Sequence, residues 1–118
     1  MSTLQQADAA AAAVAVAPRV TLADIEGAIE SRYDLTAKEA IENKYEHFED
    51  SLYILSICIL VMRNGFTVIG KSAPASAENF NADLGRRFAY EDAVRQLWPF
   101  LGYNLRQKLH EAAHESSK

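Results

Sequence analysis

Two apolar runs on either side of an Asn-Gly pair dominate the middle of the chain. The first runs from Leu52 to Met62, and the second follows directly after Asn64-Gly65. An Asn-Gly pair between two β-prone runs is a strong hairpin signal, because both central residues of a type I′ turn take positive φ. We predict strands over residues 54–63 and 66–72. A buried helix over residues 50–62 is the alternative, because periodicity does not separate the two in a continuous apolar run.

A two-residue turn would fix which strand residues share a face of the hairpin. In that register Met62 faces Thr67 and Leu60 faces Ile69, and side chains alternate between the faces. Both faces are mostly apolar, and one small domain covers only one of them, so we expect a homo-oligomer, from a dimer up to a hexamer. One predicted face carries Ile59, Val61, Phe66 and Val68, and the other carries Cys58, Leu60, Met62, Thr67, Ile69 and Lys71.

Capping signals mark the start of two amphipathic helices before the hairpin. Thr21, with an acidic residue three positions later, predicts a helix over residues 22–31. Thr36 has the same signal and opens a second helix that extends through Phe48.

Small polar residues lead from the hairpin into a third helix. Ser76 is the expected N-cap of a helix that starts near Ala77 and ends where Pro99 prevents its continuation. A last amphipathic stretch covers residues 101–109. The chain therefore predicts an α+β fold in which a β-hairpin packs with three or four helices. The expected core-facing residues of the third helix are Phe80, Leu84, Phe88, Ala89, Ala93, Val94, Leu97 and Trp98.

The two ends of the chain lack these patterns. Residues 1–19 are rich in Ala, carry Asp8 and have no basic residue before their weakly apolar run, which argues against a signal peptide. We expect a flexible, disordered Ala-rich tail there, with only transient helix. The predicted domain covers residues 20–112, and residues 113–118 form a predicted flexible C-terminal tail. No run reaches about 18 consecutive apolar residues, so no membrane span is expected.

Composition limits the classes of protein that fit this pattern. The chain has 118 residues, 49% of them hydrophobic, and a net charge of −4, which describes one soluble domain. Its single cysteine, Cys58, forms no internal disulfide, and no Cys/His cluster has zinc spacing, so we expect a cytoplasmic protein without metal or cofactor. No nucleophile elbow or phosphate loop occurs, so no enzymatic activity is expected.

The region from the hairpin to the C-terminal helices resembles a known protein family. The segments NGFTVIGKSA and AENFNADLGRRFAYEDAVRQLWPFLGYNLRQKL resemble the signature of a widespread family of small tailed-phage and prophage proteins. The segment VTLADIEGAIESRYDLTAKEA is similar to the N-terminal part of that family, so the resemblance covers residues 18–109. The chain departs from the family pattern in one loop, where Pro74 stands in place of a Cys and Ala77 in place of a Pro.

The same hairpin–loop–helix pattern is similar, more distantly, to the first type of Thoeris anti-defence protein. Those phage proteins sequester the cyclic ADP-ribose-type signal of bacterial immune enzymes and hold other cyclic nucleotides. The resemblance implies capture of such a signal in the host cytoplasm without turnover. Small residues at a helix N-terminus and nearby arginines suit phosphate groups. The candidate ligand-binding residues are Ser72, Ser76, Asn79, Arg86, Arg87 and Arg106.

Other interpretations of the same residues stay open. The hydroxyl and amide residues of the loop are also those that turns and helix caps use. Arg86 and Arg87 also suit a solvated or interfacial position. An accessory protein-interaction module without a small ligand fits the apolar second face. A weak nucleic-acid binder is a further alternative, although the net negative charge argues against it; its basic stripe would consist of Arg86, Arg87, Arg95, Arg106 and Lys108.

Overall fold

The computed structural model describes residues 3–116, which form two compact units. One unit consists of residues 29–96, and the other combines residues 3–28 with residues 97–116. The last helix of the chain contributes to both units, and the boundary falls between Gln96 and Leu97.

A three-stranded antiparallel sheet forms the centre of the unit of residues 29–96. Its strands are β1 (Ile29–Thr36), β2 (Ser56–Met62) and β3 (Thr67–Ser72), in the spatial order β1-β2-β3. Within the described part of the chain four α-helices accompany this sheet, so the predicted α+β class is confirmed. The predicted hairpin corresponds to β2 and β3. The alternative of a buried helix over residues 50–62 is wrong, because only Asp50–Tyr53 is helical there, as a single 3₁₀ turn.

The strand β1 is an addition to the elements that the sequence predicted. The helix predicted over residues 22–31 ends at Ala28, and the chain continues directly into the strand. The physical reason is a change of period, because polar and larger apolar side chains alternate from Arg32 to Leu35, after a bulge near Ile29. Antiparallel pairing with β2 then supplies the ladder hydrogen bonds of this segment.

The turn of the hairpin differs from the predicted type I′ turn. Gly65 has φ +90°, and no other described residue has positive φ. The Met62 N–H donates to the Phe66 carbonyl at 2.7 Å, and the Gly65 N–H donates to the Met62 carbonyl at 2.9 Å. These bonds define a three-residue loop of the kind in which a type I turn precedes a left-handed glycine. The longer loop shifts the predicted register by one residue.

The register shift exchanges the two faces of β3. Leu60 pairs with Val68, and Ile59 pairs with Ile69, so Ile69 lies on the face opposite to the one predicted for it. The buried face of the hairpin is formed by Cys58, Leu60, Met62, Val68 and Gly70. The other face, called here the outer face, presents Ile59 and Ile69 together with Tyr33 of β1. The exposed fractions of Tyr33 and Ile69 are 56% and 59%.

The buried face of the sheet packs on the first part of the long helix α4 (Ala82–Ser116). The helix approaches the sheet closely at Gly70, because a Cβ atom there would overlap the backbone of Ala89 and Ala93. Burial raises the pKa of the Cys58 thiol to about 11, with a smaller contribution from the nearby Asp34 carboxylate. The fully buried side chains of this unit include Cys58, Leu60 and Val94.

Two of the predicted helix starts are confirmed, but the helix lengths differ. Thr36 caps α3 (Ala37–Ile41), since its Oγ1 accepts the backbone N–H of Glu39 at 3.3 Å. The helix ends at Ile41 rather than continuing to Phe48. Highly charged residues follow Ile41, and most of the segment up to 49 is exposed, so continued helix would bury little apolar surface.

The start of the long helix is also displaced from the predicted position. Ser76 makes no side-chain capping bond, and Ala77–Asn79 is only a 3₁₀ turn. The cap is Asn81, whose Oδ1 accepts the Leu84 N–H at 3.0 Å. Pro99 lies inside α4 and is exposed, so the predicted end at this residue is wrong. The lost hydrogen bond would have been to the carbonyl of the exposed Arg95, which solvent can replace.

The second unit contains α1 (Thr3–Val14), α2 (Leu22–Ala28) and the C-terminal part of α4. The segment predicted as a flexible tail over residues 1–19 is therefore largely helical. Asp8 ties α1 to the start of α2, because it accepts the Leu22 N–H at 3.1 Å and pairs with Arg19 at 2.9 Å.

Reciprocal capping at the start of α2 is as predicted. Thr21 Oγ1 accepts the Asp24 N–H, and the Asp24 carboxylate accepts the Thr21 N–H. The predicted single domain over residues 20–112 stays a prediction. Residues 1–2 and 117–118, which belong to the two predicted tails, lie outside the described residues.

Candidate functional site

A cleft of about 220 Å³ lies where β3 leads into α4. It is called here the β3–α4 cleft. Two phenylalanine rings, Leu84 and Pro74 form most of its wall, while hydroxyl and amide groups stand at its margin. Its lining consists of Ser72, Ala73, Pro74, Asn79, Phe80, Asn81, Leu84, Gly85 and Phe88.

Backbone features of the loop and helix create this cleft. Gly85 allows α4 to approach β2, because a Cβ atom there would overlap the side chain of Ser56. The Asn81 cap fixes the first turn of α4, and the helix then places Leu84 and Phe88 one turn apart on one face. The exposed fractions of Leu84 and Phe88 are 45% and 47%. The cleft is therefore an open apolar surface and not a gap in the core.

The polar groups at the margin are available to a ligand. The Asn81 amide uses its Oδ1 to cap the helix, which leaves its NH₂ group as a donor. Neither the Ser72 hydroxyl nor the Asn79 side-chain amide makes a hydrogen bond to any group within residues 3–116. None of the lining residues has an ionisable side chain.

The structure brings together only part of the predicted ligand-binding set. Ser72 and Asn79 line the cleft, and Ser76 belongs to the same loop without lining it. Arg86 and Arg87 follow on α4 but do not line the cleft. Arg106 belongs to the other unit.

Both arginines of the first part of α4 already have carboxylate partners. Arg86 pairs with Asp83 on the same helix, where both groups are exposed. Arg87 lies 3.5 Å from an oxygen of Glu91, a side chain that is only 3% exposed. The other Glu91 oxygen is buried and has no hydrogen-bond partner within the described residues. Arg87 is therefore committed to a buried charge, whereas Arg86 is not.

The apolar lining residues are absent from the predicted ligand-binding set. Phe80, Leu84 and Phe88 were expected to face the core, together with Ala89 and the residues that follow it. The helical spacing could have indicated that these residues line a cleft and do not face the core. Leu84 and Phe88 form one stripe, and Ala89 and Ala93 form another, about 100° further round the helix. A core that covers both stripes would need two separate packing partners.

The sequence profile of one family, described as the phage protein (N4 Gp49/phage Sf6 gene 66) family, matches residues 20–109. The chain belongs to this phage protein family. The matched region contains the whole sheet, the β3–α4 cleft and most of α4. No curated protein and no solved structure matches the chain.

Membership of this family confirms the more general part of the resemblance seen in the sequence, namely that the chain belongs with phage proteins. The similarity to the Thoeris anti-defence protein is a finer statement and belongs to the proposal below. Among residues 3–116, no helix combines the length and the apolar character that a bilayer span requires.

Proposed function

We propose that this phage family protein captures a small nucleotide-type signal in the β3–α4 cleft and releases it chemically unchanged. The expected ligand class is a cyclic nucleotide of the cyclic ADP-ribose type. One observation carries the proposal: aromatic rings meet the side-chain amides of Asn79 and Asn81, which have donors to offer a ligand, beside the loop in which the sequence resemblance implies ligand capture. A phage protein meets such signals in the infected cell.

The cleft offers the two kinds of contact that a nucleobase needs. The half-exposed Phe88 ring has a face on which a base can stack, a contact worth about 1–3 kcal/mol per base. The amides of Asn79 and Asn81 and the Ser72 hydroxyl offer donors and acceptors for base edges or ribose hydroxyls. The absence of ionisable groups among the lining residues favours capture over acid–base chemistry.

The cleft volume limits how much of the ligand it holds. Sites that enclose a drug-sized molecule typically measure about 300–1,000 Å³, so a cleft of about 220 Å³ takes one base or nucleoside portion. The phosphate groups then lie outside it. Arg86 is the better of the two predicted arginines for this role, because an exposed pair such as Arg86–Asp83 is worth only about 0.2–1 kcal/mol and exchanges readily.

Arg87 is less suited to a phosphate contact. If its guanidinium turned to a ligand, the buried Glu91 carboxylate would lose its charge partner. Leaving one charge of a buried pair without its partner is strongly destabilising. The proposal therefore predicts unequal effects of the two arginines on capture, with Arg86→Ala weakening it more.

Thermal unfolding with a panel of cyclic nucleotides and ADP-ribose isomers tests the proposal. A ligand at one hundred times its dissociation constant adds about 2.7 kcal/mol to the free energy of unfolding. The captured ligand, recovered after heat denaturation, should have the same mass and chromatographic retention as before. A recovered product of different mass would show that the protein is an enzyme. If no compound of the panel stabilises the protein, the proposal is refuted.

Matched phenylalanine variants locate the site. Phe88→Ala should weaken capture at least tenfold, whereas Phe100→Ala should leave it unchanged. Both rings are about half exposed, at 47% and 51%, and both lie on α4, but only Phe88 lines the cleft. Equal capture by Phe88→Ala and the wild type would move the site away from the cleft.

A second candidate function, an accessory protein-interaction module, is favoured by the outer face of the sheet. Tyr33 and Ile69 are both more than half exposed on a face that also carries Ile59. Exposed apolar patches of this kind commonly mark interaction sites. Failure of the nucleotide panel, with binding of a phage or host protein that Ile69→Asp abolishes, would establish this candidate instead.

A further inference from the structure

The two edges of the sheet differ in whether other parts of the chain hydrogen-bond to their backbone groups. At the β3 edge, the Asp92 carboxylate accepts the Lys71 N–H at 2.9 Å, and the Gln96 amide donates to the Ile69 carbonyl at 2.8 Å. These side chains of α4 occupy the groups with which another strand would pair. The β3 edge is thereby closed to strand addition.

The β1 edge carries no such cover. Within residues 3–116, the backbone of residues 31–35 makes hydrogen bonds only to β2. The three central residues, Arg32, Tyr33 and Asp34, are exposed, although the Asp34 side chain itself is 25% exposed. The strand contains no Pro or Lys, two residues that often protect an edge strand. Its pairing with β2 is regular from Ser31 to Thr36, after a bulge near its start.

Pairing between two copies of β1 would be antiparallel about a two-fold axis. Facing residues in such a pair must both direct their N–H and C=O groups toward each other or both away, which requires one residue to face its own copy. With Arg32 on the axis, two guanidinium groups oppose each other. With Asp34 on the axis, two carboxylates do. Both registers place like charges together.

With Tyr33 on the axis, the charges are complementary. Arg32 then faces the partner's Asp34, and Asp34 faces the partner's Arg32, so two opposite-charge pairs form around the axis. Ser31 faces the partner's Leu35 in this register. We propose that β1 pairs with β1 of a second copy in this register, which joins two three-stranded sheets into one six-stranded sheet.

Contacts within the chain already place the Arg32 and Asp34 side chains next to each other at the open edge. Arg32 Nε lies 3.0 Å from the Asp34 carboxylate, and the Arg32 guanidinium lies over the Tyr90 ring at 4.2 Å from its centroid. The two side chains therefore share the buried side of the sheet at its open edge. A symmetric dimer adds a second guanidinium and a second carboxylate, and each charge then has a neighbour of opposite sign on both sides.

Charge-reversal variants test the pairing and its register. Arg32→Asp and Asp34→Arg each place like charges across the axis, so each should raise the dimer dissociation constant by at least about tenfold. Mixing the two variants in equal amounts should restore the dimer, because two acidic side chains on one strand then face two basic ones. The measurement is light scattering, which distinguishes the 13.1 kDa chain from twice that mass.

Far-UV spectra of the separate variants establish that each one is folded before mixing. A wild-type protein that is a monomer at micromolar concentration would overturn the proposal. So would folded variants that remain dimers alone, or folded variants that stay monomers when mixed.

A cysteine placed on the axis gives a second test that does not depend on charge. Facing Cα atoms in an antiparallel pair are about 4.5–5.5 Å apart, which lies in the range for disulfides. Tyr33→Cys should therefore form a disulfide-linked dimer under mild oxidation. Ile69→Cys is the matched control, since its side chain is equally exposed on the same outer face but lies on the closed edge. Equal cross-linking of the two variants would refute the proposed axis.

Both tests read the oligomeric state and need no nucleotide. A protein that dimerises through β1 without capturing any nucleotide would refute the proposed function alone. A monomer that captures a nucleotide would refute the dimer alone.

Discussion

Replacing Gly70 with alanine tests how closely the long helix approaches the sheet. On backbone propensity alone, the change should stabilise the protein, since glycine inside a strand costs about 0.5–1 kcal/mol relative to alanine. Packing predicts the opposite sign. A Cβ at this position would overlap the Ala89 carbonyl oxygen and the Ala93 backbone nitrogen of α4.

The magnitude follows from the kind of atom that the new methyl group meets. Extra methyl groups in a packed core typically cost about 1–3 kcal/mol. Helix backbone cannot rotate away as a flexible side chain can, so the upper end, about 3 kcal/mol, applies at Gly70. Subtracting a propensity gain of about 1 kcal/mol leaves a loss of about 2 kcal/mol. At about 4 °C per kcal/mol, the Tm should fall by about 8 °C.

Urea unfolding followed by circular dichroism measures this loss directly. The Gly70→Ala midpoint should fall with an unchanged m-value, since the amount of surface exposed on unfolding is the same. Gly102→Ala on α4 is the control, because a Cβ there meets nothing within 4 Å. It should stabilise by about 0.8–1 kcal/mol through helix propensity. A Gly70→Ala protein as stable as the wild type would refute the close approach of α4 to β3.

Two further predictions concern the start of α4 and the attachment of α1. Asn81→Ala should lower the free energy of unfolding by about 1 kcal/mol through loss of the cap, while Ser76→Ala should change it little; equal urea midpoints for the two variants would contradict this assignment. The Leu22 N–H and Arg19 hold the pKa of Asp8 below its ordinary value of 3.8. The stabilisation by Asp8 is therefore fully present above about pH 3.8, and it is lost as the pH falls through the lowered pKa that Asp8 has in the folded protein. In that acidic pH range, hydrogen exchange of the Leu22 amide should become faster relative to its intrinsic rate. The Asp8→Asn variant should lose this pH dependence of the exchange rate.

Local signals in the sequence predicted several elements correctly. Thr21 and Thr36 cap helices as expected, because a capping box depends only on residues a few positions apart. The apolar runs around Asn64-Gly65 form the predicted hairpin. Helix lengths were less predictable. The end of α3 depends on whether an apolar stripe finds a packing partner, and this information is not local.

Some of the predicted ligand-binding residues line the β3–α4 cleft, but its aromatic wall was not among them. Loop residues such as Ser72 and Asn79 were expected there because of their small polar side chains, and they line the cleft. The aromatic wall was assigned to the core, since apolar residues on a helix usually face it. Phe88 departs from that rule because the sheet that α4 covers has only three strands, and Ala89 and Ala93 already occupy the contact.

The register of the hairpin shows how a distant contact decides a local turn. In the predicted two-residue turn, Ile69 and Lys71 would share a face with Leu60, beneath α4. Burying the Lys71 ammonium there without a partner would be costly, and neither side chain would fit where the helix backbone meets the strand. The three-residue loop instead places Val68 and Gly70 beneath the helix. Gly65, with its positive φ, makes that loop possible. The packing of α4 on Gly70 therefore selects between two turns that the Asn-Gly sequence permits, and the same choice turns Ile69 outward, away from Leu60 and onto the face that carries Ile59.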